Sequence, residues 1–522
     1  MILSEIPRRN AGKYPNKLAL VYKDKGLTYK EFNERVNRTA NGLLSLGLKR
    51  GDIIAVLSDH CFPFFEIQWA CFKTGVIWQE INPLSIQPAE GVAFQLNNTG
   101  AKVLFVKEKI ASPVATFKGI EMVDSIRPRL KEVRRYISFG TPMDYMESYD
   151  EWVSKSPSTE PPGVEQSKPD DLIFLLASSG TTGFPKQAML TYSNLWHCYL
   201  ATAQCIGVTP DIIEYNSETP YVSTTSFTTN TFLYKGCTVY LSNAQEPKER
   251  LEEIKKYKPN YIIFYCPMVP DIINFPEAEK YNPGTVRLVW SSGGVPLAHY
   301  AKRIEEIFGC KYVCGYCSVE QTPITWAKPA DYEFMDLTKG ILAQGVSSPF
   351  SHLKVVNEQG EEVDIYEIGE IIATGGQRFQ GYWNDPKKTE ETIKGDWVYT
   401  GDIGLIDENG YLYVYGRKKD AIVIGGKMVP PTQVDAVVDL HPAVAECTTI
   451  GVPHKELGNA VKSVVVLKEG ERVTAKELMD FCRERLPSHA VPKSIVFADS
   501  LPKGLKGIPK IVEIQERWGK EL

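Results

Sequence analysis

Several features that would define a function class are missing from this sequence. It contains no G-x-x-x-x-G-K-[ST] loop, so it is not a P-loop nucleotide-binding protein. No apolar run approaches the ~20 residues that a membrane span needs. Blocks of basic residues are absent and the net charge is −5, which argues against a general nucleic-acid binder. Internal repeats and low-complexity tracts do not occur, which excludes a repeat array.

The N-terminus shows no secretion signal. Residues 1–9 lack the apolar core that a signal peptide carries. The eleven cysteines are scattered and odd in number. We therefore expect reduced cysteines and a cytoplasmic protein.

What the sequence does contain is typical of a globular α/β protein. Hydrophobic residues make up 43% and charged residues 24% of its 522 residues, which is enough for about two to four domains. Residues 16–110 alternate helical and strand-like patterns, with a buried strand at 52–57 and a helix at 62–74. This alternation predicts a mostly parallel sheet with helices.

The segment 177–186 carries the clearest chemical signal. It reads Ala-Ser-Ser-Gly-Thr-Thr-Gly-Phe-Pro-Lys and follows the apolar run 171–176, which predicts a buried strand. Glycines let a backbone approach an anion, hydroxyl and N–H groups donate to it, and a lysine adds charge. The pattern favours a polyphosphate ligand. An exposed hydroxyl-rich turn is the alternative for such a segment taken alone.

Further segments follow this loop in a defined order. They are Ser-Gly-Gly-Val-Pro (292–296), Tyr-Cys-Ser-Val-Glu (316–320), Tyr-Thr-Gly-Asp (399–402), Gly-Arg-Lys-Lys-Asp (416–420) and Ile-Gly-Gly-Lys-Met-Val-Pro-Pro (424–431). Together with the loop they resemble, over nearly the whole chain, the adenylate-forming superfamily. Its members are acyl-CoA synthetases, adenylation domains of peptide synthetases and firefly-type luciferases.

The resemblance implies an α/β fold in two domains. Residues 1–416 would form a large ATP- and acid-binding domain of parallel-rich sheets with helices, including a small β-rich subdomain at about 345–416. Residues 417–420 would be a hinge. Residues 421–522 would be a small, mobile α+β domain.

The resemblance also assigns roles to residues. Lys186 and the loop hydroxyls would bind the β- and γ-phosphates, and Glu320 and Thr182 would hold Mg²⁺. Lys419 would be the hinge residue. Gly425 and Gly426 would line a tunnel for coenzyme A. The implied ATP-binding residues are Ser178, Ser179, Gly180, Thr181, Thr182, Gly183, Lys186, Gly293, Gly294, Val295, Tyr316, Asp402 and Arg417.

Two departures from the family pattern lie around the reacting atoms. Cys317 and Val319 stand where the family has glycine and threonine. The threonine hydroxyl normally meets the α-phosphate, so one donor is missing unless Ser318 or Thr322 replaces it. Ser223 stands where the family commonly has a histidine beside the acyl pocket, which suggests an unusual pocket.

The C-terminal motif is the weakest match. The family has a lysine there that bridges the α-phosphate and the substrate carboxylate. Ungapped alignment puts Ile508 at that position, whereas two extra residues bring Lys510 there, followed by Ile511. We expect Lys510 to be this lysine, with Lys506 as the alternative.

The resemblance implies an ATP-dependent carboxylic acid:CoA ligase. The acid would attack Mg·ATP to give acyl-AMP and pyrophosphate, and coenzyme A would then displace AMP. We expect an apolar acid, because no arginine or lysine stands out as a second carboxylate clamp. The expected assembly is a monomer or homodimer that binds no nucleic acid and spans no membrane.

Three alternatives to this function stay open at the level of sequence. One is a degenerate nucleotide-binding relative, and another is a ligase that acts on a carrier protein. The third is a radical iron–sulfur enzyme, because Cys310, Cys314 and Cys317 have a C-x3-C-x2-C spacing that could hold three irons of a cluster.

Overall fold

The structure is a computed structural model that describes residues 3–84, 87–112, 115–178, 184–220, 223–328, 330–331, 340–502 and 510–521. Its α-helices are α1 (Ile6–Lys13), α2 (Tyr29–Ser45), α3 (Phe62–Thr74), α4 (Pro88–Thr99), α5 (Gly119–Ile126), α6 (Tyr149–Ser154), α7 (Tyr192–Cys205), α8 (Ser223–Lys235), α9 (Pro247–Tyr257), α10 (Val269–Ile273), α11 (Ala298–Phe308), α12 (Pro386–Thr392), α13 (Pro431–Asp439), α14 (Ala475–Arg483) and α15 (Ile511–Trp518).

The strands, in chain order, are β1 (Leu18–Tyr22), β2 (Lys25–Thr28), β3 (Ile53–Leu57), β4 (Ile77–Glu80), β5 (Val103–Lys107), β6 (Lys109–Ala111), β7 (Thr116–Lys118), β8 (Arg135–Phe139), β9 (Glu147–Ser148), β10 (Leu172–Ala177), β11 (Gln187–Thr191), β12 (Ile213–Asn216), β13 (Thr238–Leu241), β14 (Tyr261–Tyr265), β15 (Leu288–Ser292), β16 (Lys311–Tyr316), β17 (Thr325–Trp326), β18 (Val346–Ser347), β19 (Ser351–Val356), β20 (Gly369–Gly375), β21 (Ile393–Lys394), β22 (Trp397–Ile406), β23 (Leu412–Arg417), β24 (Ile422–Ile424), β25 (Lys427–Val429), β26 (Val444–His454), β27 (Gly458–Leu467) and β28 (Ser494–Phe497).

Local sequence signals account for several of these elements. At the start of α2, the Thr28 hydroxyl accepts from the Glu31 backbone N–H at 3.2 Å, and the Glu31 carboxylate accepts from the Thr28 N–H at 2.8 Å. This reciprocal pair satisfies two backbone donors that the first helical turn leaves without partners. Helix α3 has the bounds that its sequence pattern predicts.

Two large sheets form the body of the fold. The nine-stranded sheet has the order β18-β17-β16-β15-β14-β12-β13-β1-β2, and its strands from β16 to β1 are parallel. The seven-stranded sheet has the order β11-β10-β4-β3-β5-β8-β9, with β11 antiparallel to β10. Parallel neighbours present their carboxyl ends at one edge, so the loops that follow them lie side by side.

The rest of the chain forms smaller layers. Strands β19 to β23 make a five-stranded antiparallel sheet. Strands β26 to β28 make a three-stranded sheet, and residues between 422 and 495 have an apolar core of their own. The α/β fold class with a large first domain and a small last domain is therefore confirmed, whereas the domain boundaries at 416 and 421 stay predictions.

Helices that could cross a bilayer were sought among the described residues, and none has the required length and hydropathy.

Gly345 gives a test of the packing between β17 and the segment that leads into β18. It has a φ of +88°, and a Cβ added to it would lie 1.8 Å from the Trp326 carbonyl carbon. We expect Gly345→Ala to lower the melting temperature strongly or to prevent soluble expression. Gly410→Ala is the matched control, because Gly410 has a φ of +81° with no described atom within 4 Å of the added Cβ, so it should cost only the ~1–2 kcal/mol of left-handed strain. Equal melting temperatures for the two variants would contradict this packing.

Candidate functional site

A cavity of about 470 Å³ lies at the carboxyl ends of four neighbouring parallel strands, β12, β14, β15 and β16. Ligands of open α/β sheets bind outside this edge. One wall comes from the seven-stranded sheet, through residues after β4 and β10. The sequence-predicted residues that line the cavity are Ser178, Gly293, Gly294, Val295, Tyr316, Glu320, Asp402 and Arg417. Segments up to 239 residues apart in the chain thus meet around one space.

Tyr316, Asp402 and Arg417 form one corner of the cavity. The Tyr316 hydroxyl donates to Asp402 Oδ2 at 2.6 Å, and Arg417 Nε lies 3.2 Å from Asp402 Oδ1. Burial raises the pKa of the Asp402 carboxyl, while Arg417 and the Tyr316 hydroxyl act in the opposite direction. Arg417 also donates to the Thr400 carbonyl at 3.1 Å. An aromatic ring, a carboxylate and a guanidinium at one corner suit a nucleoside, because they offer a stacking face and partners for hydroxyl groups.

The turn after β15 brings its backbone close to the cavity. Gly293 has a φ of +79°, and a Cβ there would lie 2.5 Å from the Tyr265 ring. Only glycine fits this position without displacing the ring. The neighbouring Gly294 carbonyl accepts from Gln344 Nε2 at 2.9 Å, which fixes the turn.

The segment after β16 supplies a hydroxyl to the cavity. Ser318 lines the cavity, and its Oγ accepts from the Gln321 N–H at 3.1 Å. The Thr322 hydroxyl donates to the Ser318 carbonyl, and Thr322 is not among the lining residues. Of the two substitutes for the missing threonine hydroxyl, Ser318 is therefore the better placed.

Glu320 lies at the opposite end of this segment. Its carboxylate accepts a hydrogen bond from the Tyr382 hydroxyl, and the Lys186 ammonium lies 5.6 Å from the centre of the Tyr382 ring. Burial, followed by the charge of Glu320, raises the pKa of the Tyr382 phenol, so it stays a donor. Tyr382 thus connects a carboxylate and an ammonium group that the sequence assigns to metal and phosphate.

The glycine- and hydroxyl-rich loop leaves β10 and returns to β11. Its ends are held together, because the Ser178 N–H donates to the Lys186 carbonyl at 2.8 Å and the Lys186 N–H donates to Ser178 Oγ at 3.2 Å. This closure brings Ser178 to the cavity wall. The predicted ligands between them, Ser179, Gly180, Thr181, Thr182 and Gly183, lie outside the described residues.

Comparison with known proteins identifies the family. The family described as AMP-binding enzyme matches residues 7–383, and its C-terminal domain matches residues 433–507. The chain belongs to the AMP-binding enzymes. The adenylate-forming resemblance of the motifs is thereby confirmed.

Curated relatives of this AMP-binding enzyme are similar along their whole length. A feruloyl-CoA synthase from an Amycolatopsis species is 29% identical over 524 residues, with 99% of each chain covered. A long-chain-fatty-acid–CoA ligase from Bacillus subtilis (strain 168) is 28% identical, with 97% of this chain and 92% of the relative covered.

Solved structures bear out the fold. The crystal structure of an anthranilate CoA ligase in complex with anthranoyl-AMP is 22% identical and gives a TM-score of 0.85, with 100% of this chain and 97% of the other covered. MatB from Rhodopseudomonas palustris is 23% identical and gives a TM-score of 0.82, with 99% of both chains covered. At these identities the likeness concerns the fold alone.

The cysteine alternative is not favoured in this AMP-binding enzyme. Cys310 and Cys314 are buried thiols, and burial raises the pKa of Cys310 to about 12. The Cys314 thiol donates to the Ala343 carbonyl at 3.3 Å. Among the residues that the structure describes, no group of three His, Cys, Asp or Glu side chains could hold a metal ion.

The predicted hinge and tunnel residues lie outside the cavity lining. Lys419 belongs to the short 3₁₀ helix Lys418–Asp420, which follows β23. Gly425 and Gly426 form the exposed turn between β24 and β25, with φ values of +56° and +79°. Their roles therefore stay predictions that depend on a different arrangement of the two domains.

The two lysine candidates are placed differently. Lys510 is the N-cap of α15, and its ammonium lies 3.6 Å from Glu513 with the side chain 54% exposed. It does not line the cavity. Lys506 and Ile508 lie outside the described residues, and so does the side chain of Ser223.

The structure adds cavity residues that the motifs did not indicate. Asn82 and Leu84 follow β4, Glu218 and Thr219 follow β12, and Tyr265 ends β14. A carboxylate two residues after a buried strand was the one signal in the sequence that could have revealed Glu218. These residues extend the cavity lining beyond the segments that carry the motifs.

Proposed function

We propose that this cavity binds ATP and a carboxylic acid side by side and joins the acid to AMP. The overall reaction is ATP-dependent ligation of a carboxylic acid to coenzyme A through an acyl-AMP intermediate. The single observation that supports our site assignment is that the Tyr316–Asp402–Arg417 corner lines the same cavity as Glu320. Glu320 is in turn bonded to Tyr382, whose ring lies beside Lys186. The first group suits a nucleoside and the second suits its phosphates.

We assign the nucleoside to the Asp402 corner. Asp402 accepts from the ribose hydroxyls, and Arg417 holds the carboxylate in place from the other side. Tyr316 packs against the base while its hydroxyl stays bonded to Asp402. Because Asp402 is 9% exposed, a ribose bound at this carboxylate forms charge-assisted hydrogen bonds in a partly dry site.

Mg²⁺ fits the donor set at Glu320. This ion needs only one or two carboxylates when phosphate oxygens and water complete its six ligands, and the Glu320 carboxylate borders the cavity. Thr182 would be the second protein ligand. When bound, the ion offsets negative charge on the phosphates and so favours attack by the acid.

The side chains of the cavity then act on the reacting phosphate. Attack of the acid carboxylate on the α-phosphate gathers negative charge there, so fixed donors and cations lower the barrier. Ser318 Oγ accepts from the Gln321 N–H and keeps its own proton free to donate. We assign it the role of the missing threonine hydroxyl. Lys186 accompanies the departing pyrophosphate.

The second step needs a new arrangement of the domains. Rotation about Lys419 would move the C-terminal lysine away and bring the turn at Gly425 and Gly426 to a channel for the thiol. The thiol attacks the acyl carbon, loses its proton, and AMP leaves with the bonding electron pair. We propose coenzyme A rather than a carrier protein as the acceptor, because the relatives are a feruloyl-CoA synthase and long-chain-fatty-acid–CoA ligases. We further propose a cytoplasmic monomer or homodimer.

Exchange of labelled pyrophosphate into ATP tests the first step. We expect exchange that depends on an added acid and on Mg²⁺, and acyl-CoA formation when coenzyme A is supplied. A broad panel should include aromatic, short-chain and long-chain acids, because the relatives named above differ in their acids. Absence of exchange with every acid, in a protein that still binds ATP, would mean that the site does not adenylate.

A further inference from the structure

Three exposed apolar side chains lie together on the small domain. Val423, Ile511 and Val512 are 50%, 51% and 74% exposed, and all three line one groove of about 630 Å³. The groove lies between the segment 420–423, which follows the hinge, and helix α15. Apolar side chains that are exposed as a group, rather than singly, mark a surface that another surface covers.

An exposed aromatic pair lies beside the phosphate loop. The rings of Phe94 and Phe184 stack with their centroids 5.1 Å apart, and the two residues are 42% and 40% exposed. Phe94 lies on α4, and Phe184 lies two residues before Lys186, whose N–H closes the loop onto Ser178. Each ring thus covers part of the other and leaves the rest of its surface in water.

The proposed role of Lys510 would bring these two surfaces together. Lys510 is the N-cap of α15, and Ile511 and Val512 are the first two residues of the helix. A lysine side chain spans about 6 Å, and a helix advances about 1.5 Å per residue. With the Lys510 ammonium at the α-phosphate, Ile511 and Val512 would therefore lie within about 10 Å of that phosphate. The loop that ends at Phe184 would bind the next two phosphates.

The hinge makes this contact reachable. Arg417, the last residue of β23, lines the ATP cavity, and Lys419 follows it by two residues. Val423, on one wall of the groove, follows Lys419 by four residues. This wall stays close to the cavity whatever the angle of the small domain, so a rotation changes mainly the direction in which the groove faces.

Other exposed apolar side chains of the large domain are placed less well for this contact. Phe350 packs against the ring of His197, at 5.1 Å between centroids. Ile365 is next to Tyr366, whose N–H donates to the carbonyl of Ile406 at 2.8 Å. That carbonyl ends β22 and lies beside the start of β23, away from the hinge.

We propose that the Phe94–Phe184 pair packs into the groove of Val423, Ile511 and Val512 while the acid is adenylated, and leaves it before thiol transfer. This inference rests on the proposed function and on Lys510 as its lysine. Burial of these side chains stabilises the domain arrangement used for adenylation. The contact also holds Phe184 in place, and with it the end of the loop that carries Lys186.

A double-mutant cycle tests the contact. Phe94→Ser and Val512→Ser should each lower pyrophosphate exchange about 10-fold, because partial burial of one apolar side chain shifts an equilibrium by about that factor. The double variant should lose little more than either single variant, since residues in contact are not additive. Conversion of synthetic acyl-AMP to acyl-CoA should keep its rate in all three variants, which a general loss of stability would not allow.

Each domain offers a matched control for these variants. Ile365 is 58% and Phe497 is 41% exposed, and neither lines the groove. Ile365→Ser and Phe497→Ser should leave the rates of exchange and of thiol transfer near those of the wild type.

A cross-link between the two surfaces gives a second measurement. Phe94→Cys and Val512→Cys, joined in one chain by a short bis-maleimide, should hold the domains in the arrangement used for adenylation. We expect faster cross-linking when ATP and an acid are present. The linked protein should keep pyrophosphate exchange and lose the formation of acyl-CoA from acyl-AMP. The two single-cysteine variants control for reaction at the native cysteines.

The outcomes separate the inference from the function on which it rests. Exchange at the level of the controls in either serine variant, losses that simply add, or a linked protein without exchange would overturn the inference while the ligase function stands. A changed oligomeric state with unchanged rates would assign the apolar surfaces to contacts between copies, and would also overturn it. If the wild-type protein shows no exchange with any acid, the proposed function itself fails.

Discussion

Glu320→Gln lowers the rate of acyl-adenylate formation by about 10²–10³-fold, the usual effect of losing one group that stabilises transition-state charge. The substitution keeps the size of the side chain and an oxygen for the Tyr382 hydroxyl, but removes the negative charge that Mg²⁺ would meet. We therefore expect a higher Mg²⁺ concentration at half-maximal exchange as well as a lower maximal rate. Pyrophosphate exchange measured across a Mg²⁺ titration reports both quantities.

Tyr382→Phe tests the orientation of the Glu320 carboxylate without changing its charge. Loss of the hydroxyl that donates to Glu320 leaves the carboxylate in place but less well oriented, which in metal sites costs about 10–100-fold. Glu362→Gln is the surface control, because Glu362 pairs with Lys354 at 3.0 Å and is 57% exposed. A wild-type Mg²⁺ profile for Glu320→Gln would remove Glu320 from the metal site.

The parts of the site that the sequence predicts are those carried by short segments. A strand followed by glycines and hydroxyls predicts a phosphate loop because both features lie within about fifteen residues. Ser178 was found in this way, whereas Gly293 and Glu320 were assigned from the resemblance of their segments to the family. These residues lie just after the carboxyl ends of parallel strands, where ligands of such sheets bind. The alternation of helices and strands in the sequence already predicts a parallel sheet.

The contacts that the sequence does not predict join distant segments. Asn82 reaches the cavity because β4 pairs with β10, with Trp78 opposite Phe174, and nothing in either segment specifies that pairing. Tyr382 meets Glu320 across 62 positions of the chain. Strand order and register are properties of the whole sheet, since they result from the burial of many side chains together.

The same limit applies to Glu218. Its sequence context, a glutamate between a serine and a threonine, is typical of an exposed loop. It is buried because β12 lies between β13 and β14 and because His60 and Asn216 fix its backbone. Its place in the cavity lining is therefore visible only in the packed structure.

The C-terminal lysine is the second site of large expected effects. In the structure Lys510 pairs with Glu513 at the surface, and such an exposed pair contributes only about 0–1 kcal/mol. Moving Lys510 toward the α-phosphate during adenylation would thus cost little. Its position outside the cavity is compatible with a role that it performs in only one of two domain arrangements.

Lys510→Ala should reduce pyrophosphate exchange by about 10²–10³-fold, because one cation that stabilises charge at the α-phosphate is lost. Formation of acyl-CoA from synthetic acyl-AMP should keep its rate, because the proposed rotation would move the lysine away before the second step. Lys506→Ala and the surface control Lys520→Ala should leave both rates near those of the wild type.

The reverse pattern, with exchange lost only in Lys506→Ala, would transfer the role to Lys506. Full exchange in both Lys510→Ala and Lys506→Ala would mean that neither lysine acts on the α-phosphate. Measuring both half-reactions therefore decides between Lys510 and Lys506. A lysine that acts in only one domain arrangement should affect the rate of adenylation and leave the rate of thiol transfer unchanged.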